Sequence, residues 1–313
     1  MSDATPTSAH AAGPASPTPS AEPKALAQVP PEFRQKVLER GRELYRDLPW
    51  RRTRDPYQIW ISEVMLQQTQ VTRVDGRWQR WCERFPSVDA LAAADAADVL
   101  EEWQGMGYNR RALALWRAAG IVSAAGGAMP IEARELVALP GIGPATAAGI
   151  RAFAYDLPGV YLETNVRSVF LHELYPDAVA VPDKDLVPLV EASCPADDSD
   201  PQDDPRTWYY ALLDYGAYLK KTLPNPSRRS KSHVRQSRFE GSHRQKRAEL
   251  VRLLLGHRSA GRRGVDLVTI TEELSAIEAE AGRRKISARD VAALLEELEA
   301  EGFCHKIGGN WSA

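Results

Sequence analysis

The chain has 313 residues, 43% of them hydrophobic, and a formal net charge of −2. That length leaves room for two domains, or one domain with tails, around a packed core. The near-neutral balance does not announce a nucleic-acid binder, so any basic surface is local. No apolar run is long enough for a bilayer, and no signal peptide is visible.

Residues 1–30 are rich in Ala, Pro, Ser and Thr and carry few large apolar side chains. They cannot bury enough surface to offset chain entropy, which predicts a disordered tail. From Pro31 to about Leu223 the apolar pattern is helical. Phe33, Val37 and Leu38 open it, and Trp60, Val64, Val71 and Val74 form one stripe. Leu91, Val99, Leu100 and Trp103 continue it, followed by Leu113, Trp116 and Ile121. An all-α, two-lobed body is expected over residues 31–225.

Within that body, Leu139-Pro140-Gly141-Ile142-Gly143-Pro144-Ala145-Thr146 reads as a helix-hairpin-helix. Gly141 and Gly143 allow positive φ and close approach, and Pro144 suits a first helical position. The next helix then presents unpaired N–H groups, a seat for phosphate that grips a backbone without reading sequence. An ordinary tight turn between core helices is the alternative.

Residues 197–205 are acidic and contain proline, as expected for a surface loop. Residues 226–247 are a basic linker, with Arg228, Arg229, Lys231, Arg235, Arg238, Arg244, Lys246 and Arg247 against a single Glu240. Contact with phosphate is expected there, a solvated linker being the alternative. Residues 248–313 read as a small winged-helix-like module. Leu250, Leu253 and Leu254 mark a first helix, Ile270 to Ala281 a second, and Ser287 caps a third that runs to Glu301. Phe303 to Trp311 is a hairpin about Gly308-Gly309. Its third helix carries Glu296, Glu297, Glu299 and Glu301, which oppose phosphate and favour a packing or protein-contact role equally.

Ile61-Ser62-Glu63-Val64-Met65-Leu66-Gln67-Gln68-Thr69-Gln70-Val71 and Leu162-Glu163-Thr164-Asn165-Val166-Arg167 carry a resemblance. So do the hairpin, Leu48-Pro49-Trp50-Arg51, Asp55-Pro56-Tyr57, Gly105-Met106-Gly107-Tyr108 and Leu213-Asp214-Tyr215-Gly216-Ala217. At these blocks the chain resembles the HhH-GPD superfamily of base-excision DNA glycosylases, and within it the adenine-specific branch. The resemblance runs from Leu48 to Tyr218 and implies a cleft between two lobes, one of them holding the hairpin.

Cleaving a glycosidic bond to a purine requires a proton for the leaving base and a counter-charge for the oxocarbenium-like sugar. Two carboxyls can divide those tasks. Glu63 lies at the edge of an apolar stripe, where burial raises a carboxyl pKa. The resemblance makes it the acid that protonates adenine; a helix-surface glutamate is the bland reading. Glu163 stands where the family has aspartate, so its carboxylate is displaced by about one C–C bond, roughly 1.5 Å. It is expected to stabilise the sugar cation, with Asn165 orienting the carboxylate or water. Purely structural roles at a helix start also suit both residues.

Ala145 replaces the lysine of the strand-cutting relatives, which implies a monofunctional glycosylase. Gln67 and Gln68 resemble residues that fill the gap left by a flipped base, Gln68 being the expected wedge. Tyr108 resembles an aromatic near the opposite base, a core tyrosine being the rival. The hairpin residues Gly141, Gly143, Ala145 and Thr146, with Arg228 and Arg229, complete the expected DNA contacts. The cysteines Cys82, Cys194 and Cys304 are three, far apart, and absent from the stretch after Gly216, where most relatives bind a four-iron cluster. No cluster, metal or other cofactor is therefore expected, and the odd count suits a reducing cytoplasm. The C-terminal module is also too short for the guanine-reading domain of the adenine branch.

The expected partner is duplex DNA with a mispaired or damaged base, bound by a monomer in the cytoplasm, associated with the nucleoid if the source is bacterial. The leading expectation is removal of A opposite G or oxidised guanine. The alternatives are a different damaged base, or a catalytically weak DNA-binding protein.

Overall fold

The computed structural model describes residues 28–196, 200, 204–234 and 237–313. Most of the expected tail, much of the acidic segment and Arg235 lie outside the described residues.

The chain begins with α1 (Pro31–Glu43), a 3-10 turn at Pro49–Arg51, α2 (Pro56–Leu66), α3 (Val71–Val74) and α4 (Arg77–Arg84). Next come α5 (Val88–Ala92), α6 (Ala96–Glu102), α7 (Arg110–Ala124), α8 (Ala133–Val137) and α9 (Pro144–Tyr155). Then follow α10 (Thr164–Glu173), α11 (Asp183–Ser193), α12 (Pro205–Thr222) and a 3-10 turn at Pro226–Arg229. The last elements are α13 (His243–Ser259), α14 (Leu267–Glu280), α15 (Ala288–Glu301), β1 (His305–Ile307) and β2 (Asn310–Ser312). Proline opens α1, α2, α9 and α12, where its missing N–H costs nothing. Asp55, Asp204, Ser242, Asp266 and Ser287 each accept a backbone N–H at a helix start, a cap worth about 1 kcal/mol.

Two cores divide the body. Trp60, Trp81, Trp103, Leu113 and Ile150 belong to one, and Phe33, Phe153, Phe170, Trp208 and Tyr209 to the other. The helices α2 and α9 are the shared wall. Trp60 and Ile150 face the first core, whereas Ile59 and Phe153 face the second.

The C-terminal elements differ from the sequence expectation in two ways. The helix α13 starts at His243, inside the segment read as a linker, because Ser242 caps it. The module is also not separate: Leu250, Leu254, Leu295 and Trp311 are continuous with the first core. Its rim adds charged contacts to α6 and α7. The Arg258 guanidinium donates to Asp98 Oδ1 at 2.7 Å, and Ser259 Oγ to Glu101 Oε1 at 3.1 Å. The Arg110 fork grips both Glu301 oxygens at 2.7 Å. The strands pair antiparallel with Lys306 opposite Trp311, and Trp311 also exchanges backbone bonds with Val265, between α13 and α14.

Candidate active site

The Asp55 cap and Pro56 fix the start of α2 and so the face on which Glu63 falls. Glu63 is 8% exposed. Burial pushes its carboxyl up to about 8; the nearby Glu163 adds to this, while a Tyr161 hydroxyl bond and the Arg51 charge oppose it. At neutral pH the group therefore holds its proton. The facing residue on α9 has to be Gly149. A Cβ there would stand 2.3 Å from Glu63 Oε2 and 2.8 Å from the Tyr161 ring.

Glu163 is the N-cap of α10. Its Oε1 accepts from the Asn165 and Val166 backbone N–H groups at 2.6 and 2.9 Å. Its Oε2 faces the Asn165 side-chain amide at 3.4 Å. Burial raises its carboxyl, opposed by these backbone bonds and by the Lys220 and Arg167 charges. The capping role and the site role thus coincide in one side chain. Tyr161 is buried, and burial first, then the neighbouring Glu63 and Glu163, raise its hydroxyl well above the ordinary range. Glu63 from α2, Tyr161 and Glu163 form one cluster at the wall between the lobes. Arg167, next along α10, is held by Asp183 through two bonds of 3.0 and 2.9 Å.

Beside this cluster Arg51 forks onto Asp214 at 2.7 and 2.8 Å, with both side chains buried. Arg46 meets the same carboxylate at 2.5 Å. These bonds join the Leu48–Arg51 and Leu213–Ala217 blocks.

In the hairpin, Gly141 has φ +79°, Gly143 caps α9, and both are exposed, with Ala145 half-buried. Thr146 turns inward, where its Oγ1 accepts from Gln67 Nε2 at 3.0 Å. Gln67 is thereby tied to the hairpin helix. Because α2 ends at Leu66, Gln68 sits in a turn and not on a helix surface. It is exposed with φ +53°, a left-handed backbone uncommon for a side chain of its length. Tyr108 is 41% exposed, which removes the core reading, and it too has positive φ, at +52°.

One residue that sequence reasoning missed organises both turns. Arg111, at the start of α7, donates to the carbonyls of Val64, Met65, Gln67, Met106 and Gly107 and to Thr69 Oγ1. Its guanidinium also lies 5.4 Å from the Tyr108 ring centroid. Burial lowers it to about 10, so it stays charged.

The basic segment is placed differently from expectation. Arg228 is exposed, but the Arg229 guanidinium bonds the carbonyls of Leu171, Tyr175 and Pro176 at the C-terminal end of α10. Three of its N–H donors are thus engaged within the protein. The cysteines stand in α4, at the C-cap of α11 and just before β1. Three cysteines in separate elements do not make up the four thiolates such a cluster needs.

Residues 61–192 match the family described as HhH-GPD superfamily base excision DNA repair protein. Over 174 residues the chain is 39% identical to the adenine DNA glycosylase of Mycolicibacterium smegmatis, covering 55% of this chain and 58% of that one. The human adenine DNA glycosylase is 37% identical over 147 residues, 44% of this chain and 27% of its own. A solved thermostable thymine-DNA glycosylase superposes with a TM-score of 0.53 at 24% identity, covering 59% of this chain and 85% of that one, a likeness of fold alone. The chain spans less than two thirds of the length of these curated relatives. No helix among the described residues is long and apolar enough to cross a membrane.

Proposed function

We propose that this chain, which carries an HhH-GPD domain across residues 61–192, is a monofunctional DNA glycosylase that removes adenine mispaired with G or oxidised guanine. The observation that carries the reading is the pairing of two unlike carboxyls at the lobe wall. Burial raises both carboxyls: Glu63 is pushed up to about 8 and keeps its proton at neutral pH, whereas for Glu163 the rise is opposed by two backbone donors and by the Lys220 and Arg167 charges, which favour its ionised form. Pairs of carboxyls set apart by environment are how one site supplies both an acid and a counter-charge.

Glu63 donates its proton to the adenine ring as the C1′–N9 bond breaks, and the bonding pair leaves with the base. Glu163 stabilises the sugar cation until water adds at C1′ and loses a proton. With Ala145 in place of an amine, no Schiff base forms at that position. Gln68 and Tyr108, held by the Arg111 brace, are the groups proposed to enter the duplex. Gly141, Gly143 and the start of α9 take a phosphate. No iron–sulfur cluster takes part, and the Arg229 bonds fasten the segment after α12 instead.

The test is single-turnover base release from duplexes carrying A opposite oxidised guanine, A opposite G, T opposite G and U opposite G. Release of A from the first two supports the reading. Release of another base moves the specificity, and tight binding with no release would leave a DNA-binding protein without chemistry.

A further inference from the structure

Lys220 lies in the last turn of α12, and its Nζ donates to Asn165 Oδ1 at 3.0 Å. The approach is built in one turn earlier. At Gly216 a Cβ would stand 2.2 Å from the Asn165 carbonyl oxygen, so only glycine lets α12 close on the first turn of α10. An ammonium has donors and no acceptor. The Asn165 atom that faces it must be the carbonyl oxygen, and the amide NH₂ is then turned toward Glu163 Oε2, 3.4 Å away. Oε1 of Glu163 already accepts two backbone N–H groups. Oε2 is the oxygen left for a sugar cation, and Asn165 is what orients it. A glutamate has one more side-chain torsion than aspartate, and so more freedom to lose before its carboxylate is fixed.

We propose that Lys220 is a positioning residue that fixes the Asn165 amide and, through it, the Glu163 carboxylate, so that the longer acid can serve where aspartate is usual. The proposal rests on the reading of Glu163 as the group that stabilises the sugar cation. The charged and titratable groups around that carboxylate are Lys220 from α12, Arg167 on α10 with its partner Asp183, Tyr161 just before α10, and Glu63 from α2. Of these cations only Lys220 bonds Asn165; the Arg167 guanidinium is held by Asp183.

The experiment is single-turnover release of A opposite oxidised guanine by the full chain, from about pH 5 to about pH 9. Lys220→Met is expected to lower the rate about tenfold at neutral pH, one oriented bond's worth. It should also move the acidic limb, set by Glu163, to higher pH, and leave the alkaline limb, set by Glu63, in place. Lys220→Arg keeps donor and charge and should restore most of the rate, which a fold merely loosened by Lys220→Met would not require. A Lys220→Met profile that superposes on the parent overturns the proposal. So does a variant that releases base at the parent rate but binds duplex more weakly with a shallower salt dependence, because Lys220 would then be a phosphate contact. Glu163→Gln separates the two readings. If it keeps the parent rate, the role of Glu163 itself falls; if it stops release while Lys220→Met does not, only the role of Lys220 falls.

Discussion

Two groups of glutamates stand on helices of this chain, in opposite environments. Glu63 on α2 is buried beside a second carboxylate, and its carboxyl is pushed up to about 8. Glu297 and Glu301 on α15 sit at the surface, and each is held below the ordinary range. The Arg247 bond does this first for Glu297, and the Arg110 bond for Glu301. The row on α15 looked like a barrier to phosphate, yet two of its members are engaged by His243, Arg247 and Arg110. Desolvation without a paired cation makes an acid; a guanidinium at the rim makes a clasp. The residue type alone distinguishes neither.

The largest break in that comparison is Glu63→Gln. Base release in single turnover should fall by about 10²–10⁴, the usual contribution of a positioned acid, with duplex binding retained. Undiminished release would remove Glu63 from the chemistry. The same variant has a stability signature. In the unfolded chain the carboxyl ionises near its ordinary value of 4.5, whereas in the fold it holds its proton to about 8. Between those values the folded state binds more protons, so stability falls as pH rises. Glu63→Gln removes that loss. Its melting temperature should match the parent near pH 4.5 and exceed it increasingly toward pH 8, by about 1–3 kcal/mol of stability. An equal difference at all pH values would contradict the buried, proton-holding state.

A second contrast uses two helical glycines. At Gly149 an added Cβ would meet Glu63 Oε2 at 2.3 Å, whereas at Gly256 in α13 it would meet nothing within 4 Å. Gly149→Ala should cost about 1–3 kcal/mol by overpacking and slow release by about 10²-fold through displacement of the acid. Gly256→Ala should stabilise by about 0.5–1 kcal/mol with no kinetic effect. Thermal unfolding and single-turnover rates on both proteins check the pair, and a kinetically silent Gly149→Ala would mean that Glu63 tolerates movement.

The helical body, the capped start of α15 and the Gly308-Gly309 hairpin were legible because caps, prolines and apolar spacing are local signals. So were Glu63 and Glu163, because each lies in a distinctive block. What sequence reading missed is long-range. Arg111 braces carbonyls more than 40 positions upstream in the chain, Arg51 meets Asp214 across 163 positions, and Lys220 meets Asn165 across 55. No spacing rule connects such partners, since only the packing of α2, α7, α10 and α12 brings them together. The inward turn of Thr146 and the engagement of Arg229 were hidden for the same reason: a polar side chain in a motif looks alike whether it faces solvent or a neighbouring carbonyl.

Arg111→Met should cost about 2–4 kcal/mol, because it removes one partly buried guanidinium that bonds five carbonyls and a hydroxyl at once. It should also weaken discrimination between mispaired and matched duplex, since the turns of Gln68 and Tyr108 lose their common tie. A variant with parent stability would show that the turns hold themselves.

The smallest expected effect lies one residue earlier, at the start of the same helix. Arg110 is the neighbour of Arg111, and its side chain is largely exposed as it grips Glu301. Exposed pairs contribute at most about 1 kcal/mol and are screened by salt, while the module's attachment rests mainly on the continuous apolar core through Leu254, Leu295 and Trp311. Glu301→Gln should therefore lower stability by less than about 1 kcal/mol, with the difference shrinking as salt is raised, and should leave base release unchanged. Urea unfolding at low and high salt reads the first, and single-turnover release the second. A loss of release in Glu301→Gln would mean that the clasp on α15 feeds through Arg110 into the Arg111 brace, and that the two groups of glutamates act on one site.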